Sequence, residues 1–117
     1  MSVKIIDVKR IGVVRILGGS IKRVFVGGAD SNRLDFALGV LEPGEYLKKH
    51  YHPNSDEVYF VLEGEGKLYI EDREEDLRPN RAVLIPSKVI HGVKNTGSSK
   101  LVIAFFTAPG TEELVEV

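Results

Sequence analysis

Residues 44–64 read Gly-Glu-Tyr-Leu-Lys-Lys-His-Tyr-His-Pro-Asn-Ser-Asp-Glu-Val-Tyr-Phe-Val-Leu-Glu-Gly, with His50, His52 and Glu57 as the polar core. On an extended strand, side chains two residues apart point to the same face, so the imidazoles of His50 and His52 can converge on one point. Two imidazoles and a carboxylate outline a metal site, because transition metals take neutral imidazole nitrogens and carboxylate oxygens at about 2.0–2.2 Å. Residues 58–62 are apolar on both sides of the pleat, which suits a strand entering a core better than a solvated charge at Glu57. One further ligand would close the set. His91, the single histidine outside this stretch, is the candidate; it follows Pro86-Ser87-Lys88-Val89-Ile90 and precedes a turn residue at Asn95.

Outward from this stretch the hydrophobic period is two rather than 3.6. Residues 3–8 and 13–17 are β-branched runs bounded by Gly12, Gly18 and Gly19, and residues 23–26 end at Gly27-Gly28, so three short strands open the chain. Residues 33–41 form another, with Gly39 marking a bulge or a close backbone approach, and Glu42-Pro43-Gly44 is the turn into the ligand strand. After Gly64-Glu65-Gly66, residues 67–70 read as a strand and the charge run 71–76 as a solvated hairpin tip. Residues 81–86 form a strand stopped by Pro86, residues 91–95 the next, and residues 101–106 the last strong one. Residues 111–117 fit a helical turn, an added strand or a frayed end. There is no helix pattern of a dozen residues, no linker and no repeat. Many short strands between glycine and proline turns imply a sandwich or a closed barrel.

The spacing carries more specificity than the residue types. Gly44 is separated by five residues from His50-x-His52, then come four residues, Glu57, six residues and Gly64; downstream, four residues separate Pro86 from His91 and three separate His91 from Asn95. This pattern resembles the two motifs of the cupin family, the first at residues 44–64 at every defined position and the second at residues 80–95. Two positions depart from the second motif: Asn80 and Lys88 stand where it has glycine. Asn tolerates the left-handed backbone better than most residues, so Lys88 is the larger departure and bears on the turn before His91. The resemblance implies an all-β fold, a double-stranded β-helix or jelly-roll barrel, as one domain over residues 1–117. It also implies that His50, His52, Glu57 and His91 bind one metal ion, and that the chain forms a homodimer in which an N-terminal strand covers an open sheet edge.

Alternate residues of a barrel strand face inward, so an inward Glu57 brings Tyr59 and Val61 with it, and an inward His91 brings Val93. Tyr59 is the first candidate for a catalytic role, as an acid or a substrate-orienting hydroxyl, with core packing as its other reading. One of Phe105 and Phe106 faces the interior. Tyr46, Lys48 and Tyr51 lie near the ligands in sequence and suit the rim or the surface. Three imidazoles and a carboxylate accommodate Fe, Mn, Zn, Ni, Co or Cu, since no thiolate selects among them. On an octahedral divalent ion four protein ligands leave two adjacent positions for water, oxygen or a chelating substrate.

At 117 residues and 13.0 kDa the chain has room for one domain. A net charge of −1, from 16 basic and 17 acidic residues, provides no field for nucleic acid or an anionic membrane. Without cysteine there is no disulfide framework and no thiolate. The first dozen residues lack the apolar run of a signal peptide, so the expected compartment is the cytoplasm. A single Met and many charges are compatible with a thermophilic source. The leading functional reading is a metal-dependent enzyme on a small polar organic molecule, of dioxygenase or isomerase/epimerase type. The alternative is a non-catalytic small-molecule or metal-binding sensor, and a storage or structural role is weaker because an inert barrel has no need of four ligands at metal spacing.

Overall fold

The computed structural model describes residues 3–110 and 113–117. In chain order its strands are β1 (Val14–Ile16), β2 (Gly19–Phe25), β3 (Asp35–Leu41), β4 (Tyr46–Tyr51), β5 (Asp56–Glu63) and β6 (Gly66–Ile70). There follow β7 (Arg73–Leu77), β8 (Ala82–Ile85), β9 (His91–Lys94), β10 (Leu101–Ala108) and β11 (Val115–Glu116). One sheet has the order β1-β2-β3-β10-β5-β8 and the other β11-β4-β9-β6-β7, every ladder being antiparallel. The two sheets are the halves of a double-stranded β-helix, and no helix among the described residues is long and apolar enough to cross a membrane.

Alternation in the strands decides what fills the interior. β5 buries Glu57, Tyr59 and Val61 and turns Val58, Phe60 and Leu62 outward. Leu41, Val61, Leu68, Leu77, Leu101 and Ile103 are almost wholly buried and pack one end of the barrel. Burial on this scale contributes about 2 kcal/mol per large aliphatic side chain. That end is tied by Asn95, itself 1% exposed. Its amide donates to Leu41 O at 2.9 Å and Ser99 O at 2.8 Å, and its oxygen accepts from Gly97 N at 2.9 Å. Gly64 is obligatory, since it has φ 87° and a Cβ there would lie 2.2 Å from Lys100 O. Gly39 is the close approach expected of it: a Cβ would meet the Phe105 ring at 2.7 Å.

Two sequence expectations change, and an open one, residues 111–117, is resolved in part. Residues 3–8 are not a strand; the chain is irregular up to a single 3-10 turn at Val8–Arg10, capped by Asp7, which accepts from Lys9 N at 3.1 Å. Val3 and Ile5 are more than four-fifths exposed, so this run meets no sheet edge to supply the ladder a strand requires. The charge run 71–76 is not all hairpin tip either, because only Glu71 and Asp72 form the turn and β7 pairs with β6 throughout. Leu77 anchors β7 in the core, Lys67 and Asp76 pair across the ladder at 2.5 Å, and the remaining charges suit an exposed edge strand. Of residues 111–117, the segment 113–117 is described and carries the short strand β11, while Thr111 and Glu112 lie outside the described residues.

Replacing Asn95 with Ala is expected to cost about 3 kcal/mol, because three hydrogen bonds are lost and the Leu41 carbonyl is left buried and unpaired. Urea unfolding should show a lower midpoint at unchanged m; an unshifted midpoint would refute the role assigned to Asn95.

Candidate metal centre

Four side chains meet between the sheets, and their ligand atoms all lie within 4.8 Å of one another: His50 in β4, His52 just beyond its end, Glu57 in β5 and His91 opening β9. Sequence reading singled out all four. His50 and His91 are cross-strand neighbours with ring centroids 4.3 Å apart. Their pairing depends on a bulge. Leu47 pairs with Val93, yet it is His50 and not Lys49 that pairs with His91. Leu47 and His50 are both buried while Lys48 and Lys49 between them are exposed. Strict alternation would send residues three apart to opposite faces, and the extra residue in β4 resets the phase so that His50 points inward.

Glu57 reaches the cluster from the opposite sheet. Across the β5–β10 ladder it faces Thr107, whose hydroxyl donates to Glu57 Oε2 at 3.1 Å. Sequence reading missed Thr107, which lies 50 residues away; its signal is the continuation of inward alternation along β10 beyond Phe105. Lys88 and Asn80 have φ of 72° and 73°, so the backbone takes the left-handed conformation that glycine usually supplies. The turn before His91 is thereby retained, Lys88 N donating to His52 O at 2.8 Å, at a strain of about 1–2 kcal/mol for the lysine.

All three rings engage a backbone carbonyl through Nδ1: His50 with Lys48 O at 2.7 Å, His91 with Val89 O at 2.8 Å and His52 with Glu113 O at 3.0 Å. A carbonyl only accepts, so each Nδ1 carries a hydrogen, and in the neutral ring Nε2 is a bare lone pair. Those of His91 and His52 lie 3.1 and 3.3 Å from the same Glu57 Oε1, and His52 Nε2 is buried without a hydrogen-bond partner. Facing a carboxylate, each Nε2 either takes a second proton, making the ring an imidazolium that donates to Glu57, or shares a bound cation with it. Nitrogen and oxygen donors with no thiolate, their rings fixed by outer hydrogen bonds, suit a divalent transition metal.

Without a metal, protons take that role. Burial alone would raise the Glu57 pKa, but hydrogen bonds and positive charge from His52 and His91 outweigh it and bring it to about 2. Burial, then the neighbouring His91, lower that of His50 to about 4. For His52 burial works downward, yet the Glu57 hydrogen bond and charge prevail and raise it. Burial, reinforced by the Glu57 charge, raises the Tyr59 phenol well above its usual value.

A cavity of about 190 Å³ opens beside the cluster, walled by Leu17, Ile21, Leu47, Tyr59 and Phe105, with Arg23 and Asp35 among its lining residues, 3.5 Å apart. Tyr59 thus lines the cavity and also packs on Phe105 at a centroid distance of 4.6 Å. Phe105 is the inward phenylalanine, while Phe106 stacks on Phe36 outside the barrel. Tyr46 and Lys48 are surface residues, Tyr51 is half-buried, and none of them lines the cavity.

A family profile described as Cupin domain matches residues 37–107. The chain is 30% identical over 112 residues to the polyketide synthase protein CurC of Streptomyces cyaneus, covering 93% of this chain and 71% of that one. The structure of the polyketide cyclase RemF from Streptomyces resistomycificus superposes with a TM-score of 0.83 at 19% identity, over 99% of this chain and 86% of that one. Bacillus subtilis oxalate decarboxylase, described with Mn(II) centres, superposes with a TM-score of 0.79 at 21% identity, over 94% of this chain and 31% of that one.

Metal and proton compete for the same nitrogens, so affinity should rise with pH. Because the His52 pKa is raised from 6.5, Zn(II) titrated calorimetrically should bind about tenfold more weakly for each pH unit below the His52 titration, with proton release on binding. An affinity independent of pH between about 5.5 and 8 would contradict the ligand set.

Proposed function

The chain belongs to the cupin family, and from that premise we propose that it is a metal-dependent enzyme acting on a small organic molecule, of dioxygenase or isomerase type. The observation that carries this reading is the cluster of three oriented imidazoles and a carboxylate, of which His50, His52 and Glu57 line an open, mainly apolar cavity. Held by His50, His52, Glu57 and His91, a divalent ion would supply Lewis-acid polarisation of a substrate oxygen. The Mn(II) centres of oxalate decarboxylase make manganese one ion to try.

The chain's own groups supply the rest. Leu17, Ile21, Leu47 and Phe105 make the cavity wall apolar and favour a hydrocarbon frame, so the substrate combines an apolar body with an oxygen donor. The relationship to CurC makes polyketide-like β-dicarbonyl compounds a class to try first. Thr107 holds Glu57 Oε2, fixing the carboxylate against rotation. Tyr59, on the same inward row as Glu57 and lining the cavity, would orient the substrate or give it a proton.

We also propose a homodimer, through a different surface from the N-terminal strand. On the outer face of β3, β10, β5 and β8 the side chains of Phe36, Val58, Phe60, Leu62, Leu84 and Phe106 form an apolar surface, with Leu84 68% and Phe106 46% exposed. A flat sheet face of this kind can meet its own copy about a twofold axis, and clustered exposed apolar groups mark association sites.

Turnover should be measured on a panel of β-diketones, keto acids and diols with Fe(II), Mn(II) or Zn(II). Metal-dependent turnover that His91→Ala abolishes and Tyr59→Phe lowers about 10- to 1,000-fold is the expected result. Metal binding without turnover across the panel would favour the sensor reading. Light scattering should give twice 13.0 kDa and the monomer mass after Phe106→Glu; a wild-type monomer at high concentration would exclude the dimer.

A further inference from the structure

We propose that the C-terminal segment, residues 113–117, is a positioning element of the metal centre: it sets the tautomer and orientation of His52, so that its docking and metal binding are coupled. The inference rests on reading the four clustered residues as metal ligands. What distinguishes His52 is the source of its orienting carbonyl. His50 and His91 take theirs from Lys48 and Val89, two residues back along their own chain segments, whereas His52 takes its carbonyl from Glu113, 61 residues away. His52 is also the ligand that stands outside a strand, and its side chain is 12% exposed against 1% for His91. Nothing in its local backbone replaces Glu113.

The segment reaches that place by few bonds. β11 pairs with β4 through Val115 opposite Tyr51 and Glu116 opposite His50, Val117 N donates to Lys49 O at 3.0 Å, and Asn54 Nδ2 donates to the Glu113 carboxylate at 3.1 Å. Residues 113–117 are all exposed, so their docking contributes little to the core. Leu114, between the carbonyl and the strand, lines the cavity. The two residues leading into one short edge strand therefore touch His52 on one side and the cavity on the other. Its removal should loosen His52 while leaving the barrel and the other two histidines as they are. Linkage requires the reverse effect, that a bound ion holds the segment down.

The test compares the full chain, a chain lacking residues 113–117, and full-length Val115→Pro, which removes a ladder donor from β11. Zn(II) is the probe, titrated calorimetrically, and the metal-free proteins carry 15N-labelled histidine so that NMR, at a pH above the histidine titrations, reads each neutral tautomer. The expected result is a 10- to 100-fold weaker Zn(II) affinity in both variants, with His52 losing its single Nδ1–H tautomer while His50 and His91 keep theirs. In the full chain Zn(II) should slow amide exchange at residues 113–117 by a comparable factor. Thermal midpoints of the metal-free proteins within a few degrees of one another separate positioning from loss of fold, and Val115→Pro carries the test if the shortened chain does not fold. Affinities within twofold, with the His52 tautomer unchanged, would overturn the inference. A full chain that binds no Zn(II) would sink the metal reading instead, and the tautomer would still decide whether the segment orients His52.

Discussion

A carboxylate buried as deeply as that of Glu57, 6% exposed between two apolar sheets, needs donors or positive charge around it, because stripping its water otherwise costs several kcal/mol. The rest of the site answers that need. Thr107 donates to one oxygen, and two imidazoles from the opposite sheet approach the other. Since the histidine Nδ1 atoms are already committed to carbonyls, the inner nitrogens balance Glu57 either by taking a proton or through a bound cation. The same arrangement that makes the cluster costly without a positive charge makes it receptive to one.

Backbone geometry is spent on holding this arrangement. The bulge in β4 aims His50, and the left-handed turn at Lys88 carries the chain from Pro86 to His91 without glycine. Leu17, at φ 54° in the β1–β2 hairpin, lines the cavity and accepts from Lys48 N at 2.9 Å. Sparsely populated backbone conformations thus lie around the cluster and the cavity, where rigid placement of side chains is required. At the far end of the barrel the interior is aliphatic and the polar demand falls to Asn95, which meets it with bonds to the backbone alone.

Much of this was legible in residue order. Period-two runs located most of the strands within two or three residues, and the histidines with Glu57 singled out the cluster. What failed did so for nonlocal reasons. Residues 3–8 have strand composition, but a strand exists only where a neighbour offers its ladder. Residues 73–77 are charged enough to be read as a turn, yet pairing with β6 and one buried leucine make them a strand. Nothing local distinguishes Phe105 from Phe106, because β10 is buried almost throughout and the choice of face depends on its pairing, Phe105 opposite the inward Tyr59 and Phe106 opposite the outward Val58.

Sequence by itself determined the β-rich class, the donor types and the absence of any thiolate, because these follow from composition, alternation and the short-range spacing of residues. Only the tertiary structure decided how the donors are presented: Thr107 behind Glu57, the bulge that turns His50 inward, the apolar cavity beside the cluster, and the Glu113 carbonyl on His52. Each depends on which strand lies beside which and in what register. Those are contacts between residues tens of positions apart, on which local spacing carries no information.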